Sequence, residues 1–224
     1  MNRIVVGALV LSAFAAPSAQ SALLDRGGGM IYDTALNITW LQNANFAETS
    51  GYDADGRMTW AEANDWAGNL EFGGFDDWRL PVWVDLDTAG CNYSYAGTDC
   101  GFNVDVASGE MANLYYATLG NIGLFDGPGS MVPGAGFVNR GPFVNIQDEI
   151  YWLGSLTTLE SGAVRGVYFA AWGDQSVEVP TDSYRAWAVR DGDVIPTTVP
   201  EPGVLGLVLT GLCALAVGRR RRAT

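Results

Sequence analysis

The chain is apolar at both extremities and acidic between them, and this arrangement limits what part of it can fold. Gly203–Gly218 runs for sixteen residues without a charge, Thr210 being its only plainly polar side chain, and Arg219, Arg220, Arg221 and Arg222 follow directly. As a helix the run spans about 24 Å at ~1.5 Å per residue, short of a hydrocarbon core of ~30 Å. Snorkelling arginine stems cover part of the difference. Burying the run in a globule instead would strand four arginines beside a core with nothing left to pack on it. A transmembrane helix over 203–218 is therefore expected, with the arginines cytoplasmic and everything before Val199 outside. At the other end Met1–Arg3 carries one positive charge and Ile4–Ala16 is apolar. Small residues around Ala19 and Ser21 then suit a cleavage site, so residues 1–22 read as a secretory signal peptide. The folded unit is expected over 23–194, with 195–224 as linker and membrane-anchoring tail.

Within that unit seven arginines and no lysine face twenty-four Asp plus Glu, a net charge of −17. Such a surface repels nucleic acid and anionic lipid, which excludes a nucleic-acid partner. Histidine is absent from the whole chain, which excludes Ser-His-Asp and Cys-His catalysis and histidine-ligated metals. No cofactor is expected. Cys91 and Cys100 bracket "CNYSYAGTDC". In an oxidising compartment a disulfide is expected there, stabilising by roughly 2–3 kcal/mol through so short a loop. Cys213 falls in the apolar tail.

Hydrophobic period divides the unit into elements. Ile31–Tyr32, a turn near Asp33–Ala35, and Leu36, Ile38 and Trp40 alternating with Asn37 and Thr39 predict a hairpin with one buried face. In "MTWAEANDWAGNL" the period becomes helical: Thr59 and Glu62 form a capping box, and Trp60, Ala63, Trp66, Ala67 and Leu70 share a face. Just before it, Asp53–Gly56 opens like an EF-hand loop. Met58 and Asn64 occupy the positions that need glycine and glutamate, so an Asp-rich turn is the better reading. A second helix is predicted from an Ser108 N-cap to Gly120, with Met111, Leu114, Tyr115 and Leu119 inward. The glycine-rich stretch up to Pro142 reads as a surface loop. The end of the unit, from Tyr151–Trp152 through Val164, Val167 and Phe169, a turn at Trp172–Asp174, Val177 and Val179 to Tyr184–Arg190, predicts an antiparallel meander. In "FDDWRLP", Trp78 and Leu80 point into the core and Arg79 is free to meet a carboxylate. Pro81 turns the chain, so Asp77, Trp78, Arg79, Leu80 and Pro81 are given structural roles.

Two resemblances follow from these motifs. Pro200-Glu201-Pro202, the apolar run and Arg219–Arg222 together resemble the PEP-CTERM sorting signal of Gram-negative bacteria that make exopolysaccharide. The resemblance implies an inner-membrane precursor, an exosortase-type processing enzyme as partner, and release to the cell surface or matrix. "MTWAEANDWA", "DWRLP", "IYWLGS" and "YRAWAVRDGD", in that order, resemble the Lcl C-terminal domain family. That resemblance implies an α+β, C-type-lectin-like domain with an antiparallel sheet and two helices, its terminal strands paired and its middle loops carrying any binding. The Glu-Pro-Asn and Trp-Asn-Asp motifs of calcium-dependent lectins are missing, and Cys91 and Cys100 do not match the catalytic cysteines of enzyme relatives.

The reading that follows is a noncatalytic surface or matrix protein that contacts exopolysaccharide, another glycan or another surface protein. Exposed aromatics are its expected contacts, though most of the eight tryptophans belong in the core. The alternatives are a carboxylate-based hydrolase using two of Asp85, Asp87, Asp99 and Asp105, and a purely structural protein.

Overall fold

The computed structural model describes residues 22–88, 91, 97–156, 162–169 and 172–194. The expected signal peptide over 1–22, apart from residue 22, and the expected sorting signal and apolar tail with Cys213 lie outside the described residues. Among the described residues no helix is long and apolar enough to cross a membrane.

The fold is α+β with antiparallel sheets and few helices. The first sheet has the order β1 (Leu23–Asp25), β2 (Met30–Asp33), β3 (Ile38–Leu41), β9 (Val189–Asp191). The predicted hairpin is β2–β3, in register from Met30↔Leu41 to Asp33↔Ile38. Asp33 makes its turn by accepting the backbone N–H groups of Ala35 and Leu36. β3 departs from the expected single buried face, because all four of its residues are buried. It lies between β2 and the last strand, β9, and Thr39 stays satisfied inside by donating its hydroxyl to Gly192 O at 2.7 Å. The two ends of the domain are thus joined in one sheet, and the Arg26–Asp193 ion pair at 2.5 Å adds to the joint.

After the short α1 (Phe46–Thr49) and β4 (Arg57–Met58), helix α2 spans Trp60–Gly68. Its capping box is complete: Thr59 Oγ1 accepts Glu62 N–H, and Glu62 accepts Thr59 N–H at 2.8 Å. Ala63, Trp66 and Ala67 face the core. The second helix differs from expectation. Ser108 belongs to a 3₁₀ turn, Val106–Ser108, capped by Asp105. Helix α3 (Glu110–Ala112) follows with Gly109 as N-cap and continues as a π-helical turn over Asn113–Thr118. Ser108 does not cap because its hydroxyl is buried against the Gln175 amide, 2.8 Å away. Met111, Leu114, Tyr115 and Leu119 are buried.

The second sheet has the order β4, β8 (Tyr184–Arg185), β5 (Ile150–Leu156), β6 (Val164–Tyr168), β7 (Asp174–Glu178). β5–β6–β7 is the antiparallel meander, but the meander stops there. β8 returns to the far side of β5, in a parallel bridge Tyr151↔Arg185, and β9 leaves for the first sheet. Two contacts explain the return: Gly101 already bridges to Gln175 on β7, and Arg185 pairs with Glu149 beside β5. Trp187, between β8 and β9, ties the sheets together. Its ring lies 5.1 Å from Trp40, 4.9 Å from Phe143 and 5.6 Å from Phe169, and its indole N–H reaches Leu41 O at 2.7 Å. Each such aromatic pair adds about 0.5–1.5 kcal/mol beyond burial.

Candidate functional site

Four strands of the second sheet bring charged and aromatic side chains together at one end. Arg57 and Arg185 are direct cross-strand partners on β4 and β8, an arrangement that on its own is repulsive. Glu149, just before β5, neutralises both. Arg57 binds it through Nε and Nη2 at 2.8 and 2.6 Å, and Arg185 at 3.0 and 3.1 Å. These bidentate pairs, Arg57 first, hold the Glu149 carboxyl down to about 2. The buried Arg185 also donates to Asn45 Oδ1 and Glu48 Oε2, each at 3.1 Å, and to Asp55 O. The Asp53–Gly56 turn makes room for this. Asp53 accepts the N–H groups of Asp55 and Gly56, and Gly56 has φ +73°. A Cβ there would stand 2.6 Å from Asn45 Oδ1 and 2.8 Å from Arg185 Nη1, so only glycine fits.

Over this ion cluster lies a cavity of about 210 Å³ walled by Arg57, Asp148, Glu149, Tyr168, Ser183 and Tyr184. Burial, with the nearby Glu178 and Asp182 charges, pushes the Tyr184 hydroxyl up to about 12. Tyr168 is raised by burial first, and then by the charges of Asp148, Glu149 and Asp174. Tyr168 also begins an aromatic surface. Its ring is 5.2 Å from that of Trp172, and Trp172 is 6.2 Å from Phe102. Trp172 is 44% exposed.

Beside Tyr168, as its cross-strand partner on β7, is Asp174. It is 6% exposed, and its Oδ1 has no hydrogen-bond partner. Burial pushes its carboxyl up to about 6, with the Glu178 charge adding. The Tyr115 hydroxyl nearby is likewise buried without a partner, and burial next to the Asp174 charge raises it to about 12. Its neighbour Tyr116 donates to Gly173 O at 2.6 Å. Gly173, at φ +70°, passes so close that a Cβ would meet the Tyr115 ring at 2.4 Å.

The "DWRLP" segment lies elsewhere, as a clamp between β9 and α3. Arg79 and Val189 exchange backbone hydrogen bonds of 2.8 Å in both directions. Arg79 grips Glu110 through both terminal nitrogens at 2.8 Å and also pairs with Asp191. Glu110 in turn accepts Val82 N–H. Asp77 takes Arg190 at 2.7 and 2.9 Å, which holds its carboxyl below the usual carboxylate range. Trp78 and Leu80 are buried, and Pro81 O accepts Gly154 N–H on β5.

This motif falls inside a match to the Lcl C-terminal domain family over residues 29–190. The chain belongs to the Lcl C-terminal domain family. Membership points to a secreted or surface protein. No curated protein and no solved structure matches the chain significantly.

The Lcl C-terminal domain places the remaining predicted residues in structural positions. Cys91 and Cys100 form the disulfide. Asp99 is buried, and its carboxylate accepts Leu86 N–H and the Thr88 hydroxyl. Asp105 accepts Ala107 N–H, and Asp85 accepts Asp87 N–H. None of these aspartates lines the Arg57–Tyr184 cavity. Among the described residues no group of three or more Cys, Asp or Glu is placed to hold a metal ion. Six of the eight tryptophans are buried and Trp60 is half-buried, donating to Leu153 O. Sequence reasoning missed Arg57, Glu149, Tyr168, Tyr184 and Trp172 as a set. One signal was available: Trp172 stands in a turn, outside any periodic run that would bury it.

Proposed function

We propose that this is an exported, noncatalytic protein of the cell surface or exopolysaccharide matrix, whose Lcl C-terminal domain holds a glycan on the Tyr168–Trp172 surface and the adjoining cavity. The observation that carries the reading is Trp172, an exposed tryptophan in a domain that buries six others, set beside a cavity whose walls include charged and hydroxyl side chains. Aromatic faces stack on the C–H face of a sugar ring, while the Ser183 and tyrosine hydroxyls and the Asp148 carboxylate suit its hydroxyl groups. The cavity is smaller than the ~300–1,000 Å³ of sites that enclose a drug-sized ligand. One residue of a long polymer fits such a groove better than a small substrate does.

Export and sorting belong to the same proposal. The signal-like leader and the Pro200-Glu201-Pro202, apolar run and Arg219–Arg222 pattern support a membrane-anchored precursor processed by an exosortase-type enzyme. The pairing of β3 with β9, and the long irregular middle segment, support a C-type-lectin-like fold. Retention of the purified full-length chain, in detergent, on immobilised polysaccharides tests the binding. Trp172→Ala should weaken retention about tenfold or more without moving the melting temperature. Equal retention of wild type and variant would defeat this reading.

A further inference from the structure

The Tyr168–Trp172 surface also carries information about which glycan it takes. Every arginine near it is already spent. Arg57 is held by Glu149, and Arg185 by Glu149 and Glu48. Farther away Arg26, Arg79 and Arg190 are held by Asp193, Glu110 and Asp77. Arg165 lies over the Trp83 ring and donates to Cys91 Sγ. Arg140 lies over the Phe137 ring, and the chain has no lysine or histidine to add. No cation is left at this surface, among the described residues, to receive a uronate or sulfate.

Carboxylates are in excess at the same place. Asp148 is exposed on the cavity wall, and its carboxylate has no ion-pair partner among the described residues. Glu178 and Asp182 lie near Tyr184, and Asp174 is the cross-strand partner of Tyr168. Burial first, and then these carboxylate charges, raise the Tyr168 and Tyr184 hydroxyls. Electron-rich ring faces of Tyr168 and Trp172 favour a cation in the same way.

Resting on the glycan reading above, we propose that the ligand is a polysaccharide bearing free amines, of the partly N-deacetylated hexosamine class, and that Asp148 supplies the selectivity. An ammonium group in the cavity meets Asp148, and the sugar ring stacks on Trp172. Uronic-acid and sulfated polymers meet like charge at Asp148, and the Arg57 guanidinium on the cavity wall is already bound to Glu149.

Binding of the full-length chain to four hexasaccharides tests this: a glucosamine oligomer, its N-acetylated counterpart, a neutral β-glucan and a galacturonate oligomer, in mildly acidic buffer. The glucosamine oligomer should bind about tenfold more tightly than the N-acetylated one, and the preference should shrink as salt is raised. Asp148→Asn should weaken binding of the glucosamine oligomer far more than that of the N-acetylated one, and so remove most of the preference. Equal binding of the two oligomers, tighter binding of the galacturonate, or a preference untouched by Asp148→Asn overturns the amine proposal while the glycan reading stands. Binding of none of the four overturns both.

Discussion

Two regions of the second sheet treat buried polar groups in opposite ways. On the β4–β8 side, Arg185 is buried, yet its donors reach Glu149, Glu48, Asn45 and the carbonyl of Asp55. On the β6–β7 side, Asp174 Oδ1 and the Tyr115 hydroxyl are buried with no partner. A satisfied ionic network fixes one arrangement of the chain, whereas unsatisfied groups subtract from stability. The costly region is the one that adjoins the exposed aromatic turn. Stability is given up beside the aromatic turn and kept where β4, β8 and β5 are joined.

Breaking the satisfied side should have the largest effect. Arg185→Ala leaves Glu149 with Arg57 alone and leaves Glu48 and Asn45 facing an empty space, so about 3–5 kcal/mol should be lost. Chemical denaturation of the variant measures this. A loss below about 1 kcal/mol would remove the contrast between the two regions.

The opposite sign is expected at Asp174. Its carboxyl is raised from an ordinary value of 3.8 to about 6. The native state therefore binds the proton more tightly than the unfolded state, and stability falls as pH rises from about 4 to about 6. Above that window the charged, buried Asp174 costs about 2–3 kcal/mol. Asp174→Asn should raise the melting temperature at pH 7 and have little effect at pH 4. Thermal melts at the two pH values decide it, and a destabilised variant at pH 7 would mean that Asp174 has a partner worth keeping.

The contrast also separates what was legible from sequence. The α2 capping box, the β2–β3 hairpin and the inward residues Met111, Leu114 and Tyr115 are local patterns, each declared within a dozen residues. The DWRLP segment was readable as far as its inward Trp78 and Leu80. Its ionic partners Glu110, Asp191 and Arg190 lie 31 to 113 positions away, beyond any periodicity. Ser108 has an N-cap residue type, but a tertiary contact with Gln175 claimed its hydroxyl. The candidate site was illegible for the same reason. Its walls come from β4, β5, β6 and β8, and β8 joins β5 through one parallel bridge that no local rule announces. The meander was the simplest continuation, and an arginine needing Glu149 overrode it.

The finest comparison is between two adjacent tyrosines. Tyr115 and Tyr116 pack edge to face with centroids 4.8 Å apart, but only Tyr116 uses its hydroxyl, donating to Gly173 O at 2.6 Å. Tyr116→Phe should lose about 1 kcal/mol, the usual net worth of a buried hydrogen bond. Tyr115→Phe removes a buried hydroxyl that has no partner, so it should leave stability unchanged or raise it by about 1 kcal/mol. The same Gly173 carbonyl precedes Asp174, so the two substitutions test one turn from its satisfied and unsatisfied sides. Denaturation midpoints that fall equally for both variants would show that the Tyr115 hydroxyl is held after all, and Asp174 would then carry the contrast with the Arg185 network without it.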